Sequence, residues 1–246
     1  MSGQFSAENI GHGTPGHTPR PATDHQVTSF VFDAESEQEI AAILAKYPEG
    51  RQASGVLPLL YVVQSQMRRE SGNAWVPRVA MDAVAARLSM PPIRVYEVAT
   101  FYLMFNTKPV GRYHLQVCTT TPCWLRGSDD IVAAAKAAAG VSAFEEVSGD
   151  GLFSMTEVEC LGACANAPIL QVNDDYYEDL DGPRTVALIE ALRRGEKPER
   201  GPTIDRYNSA PVGGRTTLLE EVGERHADGQ PGNLPEIEPG ASPANV

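Results

Sequence analysis

The chain has 246 residues, with 20 basic against 32 acidic side chains and a net charge of −12 at neutral pH. That balance argues against a nucleic-acid backbone or an anionic membrane surface as partner, and no apolar run approaches the length needed to span a bilayer. Neither a G-x-G-x-x-G turn between a strand and a helix nor a Walker loop is present, so no nucleotide site is expected in this chain.

Residues 1–35 contain seven Gly or Pro, three His and one Arg without a sustained apolar period, and read as a flexible N-terminal arm. His12, His17 and His25 lack a scaffold there and are taken as solvated side chains, not as a metal site. Glu8, Asp24, Asp33 and Glu35 do not suit an Arg-rich, acid-poor import presequence. A bacterial, cytoplasmic chain is expected.

Residues 36–108 read as a bundle of four helices. The first spans Glu37 to Lys46, with Ile40, Ile43 and Leu44 on one face and Pro48 and Gly50 stopping it. The second spans Val56 to Glu70: Val56, Leu59, Leu60, Val63 and Met67 form the apolar stripe, and Gln64, Arg68 and Arg69 the far face. Pro58 is tolerated in its first turn. The third starts at Pro77 and turns Ala80 or Met81, Val84 and Leu88 inward, and Pro92 opens the fourth.

Residues 109–195 read as an α/β domain. Tyr113, Leu115 and Val117 alternate with His114 and Gln116 in a strand that runs into Cys118. Ser128 is placed as the cap of an Ala-rich helix that Gly140 ends. Strands follow near Phe153 to Glu159 and Ile169 to Asn173. A last helix starts at Pro183, buries Val186, Ile189 and Leu192, and stops at Gly195. In residues 196–246, 14 of 51 positions are Gly or Pro, so an extended tail is expected. Within it Leu218, Leu219 and Val222 are read as anchors on a partner protein.

All four cysteines fall in two pairs, Cys118-x4-Cys123 and Cys160-x3-Cys164, with 36 residues between them. Disulfide pairing is disfavoured in a chain long enough to bury a core, and neither pair has the C-x-x-C spacing of a catalytic dithiol. Structural zinc remains open on spacing alone. So does an iron-sulfur cluster, whose anionic charge calls for backbone N–H groups aimed at the sulfurs. Thr119, Thr120, Thr121, Leu161, Gly162 and Ala163 supply small donors and close backbone, and Pro122 and Pro168 stiffen the turns. The plant-type C-x4-C-x2-C run is not completed, because Arg126 stands where its third cysteine belongs.

CTTTPC, ECLGACANAP with the following ILQVN, and upstream VYEVATFYLMF from Val95 to Phe105, closely resemble the thioredoxin-like 2Fe-2S ferredoxins that form the 24 kDa-type subunit of respiratory NADH:quinone oxidoreductase, complex I. The resemblance covers roughly Glu37 to Arg194. It implies a thioredoxin-like fold and one 2Fe-2S cluster, with Cys118 and Cys123 on one iron and Cys160 and Cys164 on the other. It further implies an electron carrier without catalytic residues of its own, peripheral on the cytoplasmic side of the bacterial inner membrane. FMN and NADH would sit on a partner flavoprotein, beside other complex I subunits, with no direct membrane insertion. Similar subunits serve NAD-linked formate dehydrogenases and NAD-reducing hydrogenases, and a zinc-stabilised interaction module is the alternative of another class. His114, Glu157, Glu159, Asp174 and Asp175 are read as surface or structural groups whose effect on the cluster would be indirect.

Overall fold

The computed structural model describes residues 27–214. His12, His17, His25 and the anchors of the C-terminal tail lie outside the described residues. The helical half consists of α1 (Ala34–Leu44), α2 (Val56–Ser71), α3 (Arg78–Leu88) and α4 (Pro92–Phe101). Ile40, Leu59, Leu60, Val63, Met81, Val84 and Val95 interlock in one core. α1 begins three residues before Glu37 because Asp33 caps it, its carboxylate accepting from the Ser36 N–H at 2.7 Å.

Two glutamines of α2 show why periodicity alone misjudged its polar face. Gln64 is buried: its side chain accepts from the Asn106 N–H at 2.8 Å and donates to the Met104 carbonyl at 3.1 Å. Gln66, also buried, donates to the Val31 carbonyl at 2.8 Å and accepts from the Asp33 N–H at 3.1 Å. Each thus satisfies extended backbone that lies against the bundle. Val27, Phe30 and Phe32 pack on the same core, with Phe30 and Phe32 edge to face. The end of the N-terminal arm is therefore folded onto the helices.

The second half contains β1 (Tyr113–Cys118), α5 (Thr121–Leu125), α6 (Ser128–Ala139), β2 (Phe153–Val158), β3 (Leu170–Val172), β4 (Asp175–Glu178), α7 (Gly182–Arg193) and β5 (Gly201–Pro202). The sheet order is β2-β1-β3-β4-β5. β1 pairs parallel with β2 and antiparallel with β3, β3 antiparallel with β4, and β4 parallel with β5. Leu115, Val117, Ile131, Phe153, Met155, Leu170 and Ile189 fill the core between the sheet and the helices. Before β1 the chain passes so close to β2 that a Cβ on Gly111 would collide with the Phe153 backbone.

Several expectations are corrected. β4 was not foreseen; Asn173, in the left-handed region at φ 54°, turns the chain from β3 into it. The stretch after Thr120 forms the short helix α5 where a loop was read. Ser128 is not the cap of α6: Gly127, at φ 96°, precedes the helix, and Ser128 is its buried first residue. α7 buries Thr185, Leu188, Ile189 and Leu192, and Val186 is 40% exposed because it stands about 100° around the helix from Thr185. β5 draws the first part of the expected tail into the sheet.

The two halves meet at the start of β1. There the Arg68 guanidinium pairs with Asp174 in the β3–β4 turn. A cleft of about 700 Å³ lies alongside, lined by Arg68, Arg69, Arg112, Tyr113, Leu152 and Asn173 among others. Among the described residues no helix is long and apolar enough to cross a membrane.

Candidate metal centre

Cys118 is the last residue of β1 and stands in register with Val158, the last residue of β2, two positions before Cys160. Both cysteine pairs therefore follow the carboxyl ends of adjacent parallel strands, the edge at which such sheets leave room for a ligand. Cys123 is carried on α5, which Pro122 helps to start. Cys164 opens a single 3-10 turn, Cys164–Asn166. The chain then returns beneath the first pair, where the Cys118 N–H donates to the Ile169 carbonyl at 3.3 Å.

The two pairs differ in solvation. Cys118 and Cys123 are fully buried with Ala167 and Ile169, and Leu161, Ala163 and Tyr176 pack around them. Cys160 and Cys164 are exposed. All four are free thiols, which removes the disulfide alternative; the 3.3 Å between the Cys160 and Cys164 sulfurs is a hydrogen-bond distance. The Cys123 thiol, hydrogen-bonded to Cys118, holds the Cys118 thiol down to about 5 despite burial, with help from the Thr120 hydroxyl and the Leu161 N–H. The same contact pushes Cys123 up. The Gly162 N–H and the Cys164 thiol lower Cys160, and Cys164 is raised by its bond to Cys160. In each pair the contact between the two sulfurs thus lowers one thiol and raises the other.

Backbone geometry serves those sulfurs. Gly162, at φ 85°, takes a left-handed conformation that turns its N–H toward Cys160. The Tyr176 hydroxyl donates to the Leu161 carbonyl at 2.9 Å and steadies the same loop. A four-ligand zinc site gathers its ligands around a single ion. Two separate cysteine pairs, N–H donors from both loops and an apolar lining fit a two-iron group instead.

The other candidates take different places. His114 is buried on β1 with Nδ1 2.8 Å from the Ser154 hydroxyl. Glu157 accepts from the Thr119 hydroxyl beside the first pair, and Glu159 is exposed before Cys160. Asp174 and Asp175 lie at the opposite end of β3 and β4, where Asp175 pairs with Arg200 at 3.4 Å. Tyr176 and Asn166 were missed. The β-favouring pair Tyr176 and Tyr177 was the available sign of β4, whereas Asn166 carried no sign before the fold brought its partners together.

The model of the thioredoxin-like [2Fe-2S] ferredoxin family matches residues 40–193. This chain belongs to that family. The ferredoxin is 51% identical over 168 residues to a subunit of the NADH-quinone oxidoreductase of Rickettsia bellii, covering 68% of this chain and 97% of that protein. It is 49% identical, with the same coverage, to the subunit of the same name from Rickettsia conorii. Among solved structures it is similar at 23% identity to a chain of an NAD+-reducing [NiFe]-hydrogenase, covering 59% of this chain and 23% of that one with a TM-score of 0.49. That likeness adds nothing to the assignment. The family and the thiol pairs together make the ferredoxin a 2Fe-2S protein with a mixed α/β fold.

Proposed function

We propose that the ferredoxin is the electron-transfer subunit of an NADH:quinone oxidoreductase and that Cys118, Cys123, Cys160 and Cys164 hold its single 2Fe-2S cluster. The observation that carries the reading is the placement of both thiol pairs at the carboxyl ends of the paired parallel strands β1 and β2. The near half identity to subunits of such oxidoreductases supports the assembly. The cluster, when bound, supplies one-electron redox chemistry. The chain's own residues do the rest. Leu161 and Gly162 direct N–H groups at the sulfurs, and Ala167 and Ile169 keep water from the inner pair. The outer pair faces solvent, and Trp124 and Leu125, which follow Cys123 on α5, are 57% and 70% exposed and offer apolar surface to a redox partner. That partner is a flavoprotein whose FMN takes hydride from NADH and passes single electrons here. The working place is peripheral, on the cytoplasmic side of the membrane. The helical unit of residues 36–108 and the ferredoxin unit of residues 109–195 divide the chain, with the segment through β5 completing the second.

Iron and sulfide analysis of the purified chain, with low-temperature EPR after dithionite reduction, tests the reading. Two irons and two sulfides per chain and an S = 1/2 signal are expected, and each Cys→Ser variant loses or alters that signal. A colourless, zinc-loaded and EPR-silent protein overturns it.

A further inference from the structure

We infer that Arg206, on the strap that follows β5, is a positioning residue for the outer cysteine pair. This rests on the four-cysteine ligand reading above and concerns a residue beyond the stretch that the family model matches, residues 40–193. β5 lays Gly201 and Pro202 against Tyr177 and Glu178. The Thr203 hydroxyl then shares its one hydrogen between the carbonyls of Glu178 and Asp179, at 2.8 and 2.9 Å. These bonds turn the strap toward the 3-10 turn that begins at Cys164.

There Arg206 Nη1 donates to the Ala165 carbonyl at 3.0 Å and to Asn166 Oδ1 at 2.6 Å. Asn166 is fully buried and spends every polar atom on this junction. Its side-chain nitrogen donates to the Glu178 carboxylate and to the Asn208 carbonyl. Its own carbonyl accepts from the Asp179 N–H at 2.7 Å, and its N–H donates to the Ala163 carbonyl at 2.9 Å. The two residues directly behind Cys164 are thus fixed by the strap, and the orientation of the Cys164 side chain follows. On the other side the loop is held at Leu161 by Tyr176. Between those two points lie Gly162 and Cys164, both exposed, so the strap supplies what packing does not.

The Arg206–Asp179 pair does not account for the residue as a stabilising ion pair. Nε and Oδ2 are 3.5 Å apart, the side chains are 10% and 5% exposed, and neither atom has a hydrogen-bond partner. A buried pair in such geometry repays little of its desolvation. What Arg206 delivers is one nitrogen, Nη1, bonded to two adjacent residues and placed by a rigid planar group; a lysine ammonium has the donors for both bonds but must order a flexible stem to place them.

The test uses the full chain carrying its cluster and compares Arg206→Met, Arg206→Lys and the double variant Arg206→Met with Asp179→Asn. Three quantities are read: bleaching of the visible absorbance under an iron chelator, the EPR g-values after reduction, and global stability from far-UV circular dichroism in urea. Arg206→Met is expected to bleach about tenfold faster, the lower end of the effect of groups that orient metal ligands, and to shift the g-values. Arg206→Lys gives only partial recovery, and the double variant none. Should Arg206→Met fail to fold, Arg206→Lys and the double variant carry the same comparison. Unchanged g-values and bleaching, faster bleaching only in proportion to lost global stability, or recovery in the double variant would each overturn the inference. Cys164→Ser separates the two readings: if it disrupts the cluster while every Arg206 variant behaves as wild type, only the strap inference fails. An unchanged cluster in Cys164→Ser removes the ligand reading, and this inference with it.

Discussion

Gly162 is the residue on which the outer loop turns, because its left-handed backbone gives Cys160 an N–H that a side-chain-bearing residue supplies only under strain. Gly162→Ala adds about 1–2 kcal/mol of strain, and an exposed loop relieves it by moving. Iron per chain is therefore expected to fall while the unfolding curve by circular dichroism stays close to wild type; equal iron content would contradict this role. Asp33 offers a pH test in the helical half. The Ser36 N–H, then the Arg69 guanidinium, hold its carboxyl down to about 2, so the stability it contributes is present above the ordinary carboxylate range and is lost as pH falls toward 2. Asp33→Asn is expected to lower the melting temperature at neutral pH, with the gap closing between about pH 4 and pH 2, as read from melts across that range. The cysteines were legible as a metal-binding set because their type and spacing state a chemistry. Tyr176, Asn166 and Arg206 were not, since each gains its role from a partner that only the folding of β4 and β5 brings near.

At the level of elements, helices whose apolar stripes face a single core were readable in order and nearly in extent. What failed was the identity of faces and ends. Gln64 looks solvent-facing by period, yet it bonds backbone that the pattern of α2 does not contain. The short strands β4 and β5 are too brief for alternation to separate them from loop. Ser128 illustrates a cap residue displaced by one position: its hydroxyl is buried at the start of α6 without a partner. Removing an unsatisfied buried hydroxyl, as Ser→Ala does, removes its desolvation cost and raises helix propensity. Ser128→Ala is accordingly expected to stabilise the chain by about 1 kcal/mol, seen as a higher urea midpoint at unchanged slope. A lower midpoint would reveal a role for the hydroxyl.

Across the whole molecule, the helices close around their own core and the sheet around another, with the inner cysteines in a third small cluster. Leu60 is fully buried in the first of these. Leu60→Ala should cost about 2–5 kcal/mol and advance a helical unfolding step while the visible absorbance of the cluster persists through it. Simultaneous loss of ellipticity and colour at the lower temperature would show that the halves unfold as one. The feature that keeps them apart is β1. It joins the helices at Tyr113 and ends at Cys118, five residue steps later, or about 17 Å of extended chain. The strand is a ruler: it sets the junction with the helical half at one end of the ribbon and the thiol pairs at the other. A substitution at the helical junction therefore acts about 17 Å away from the thiols.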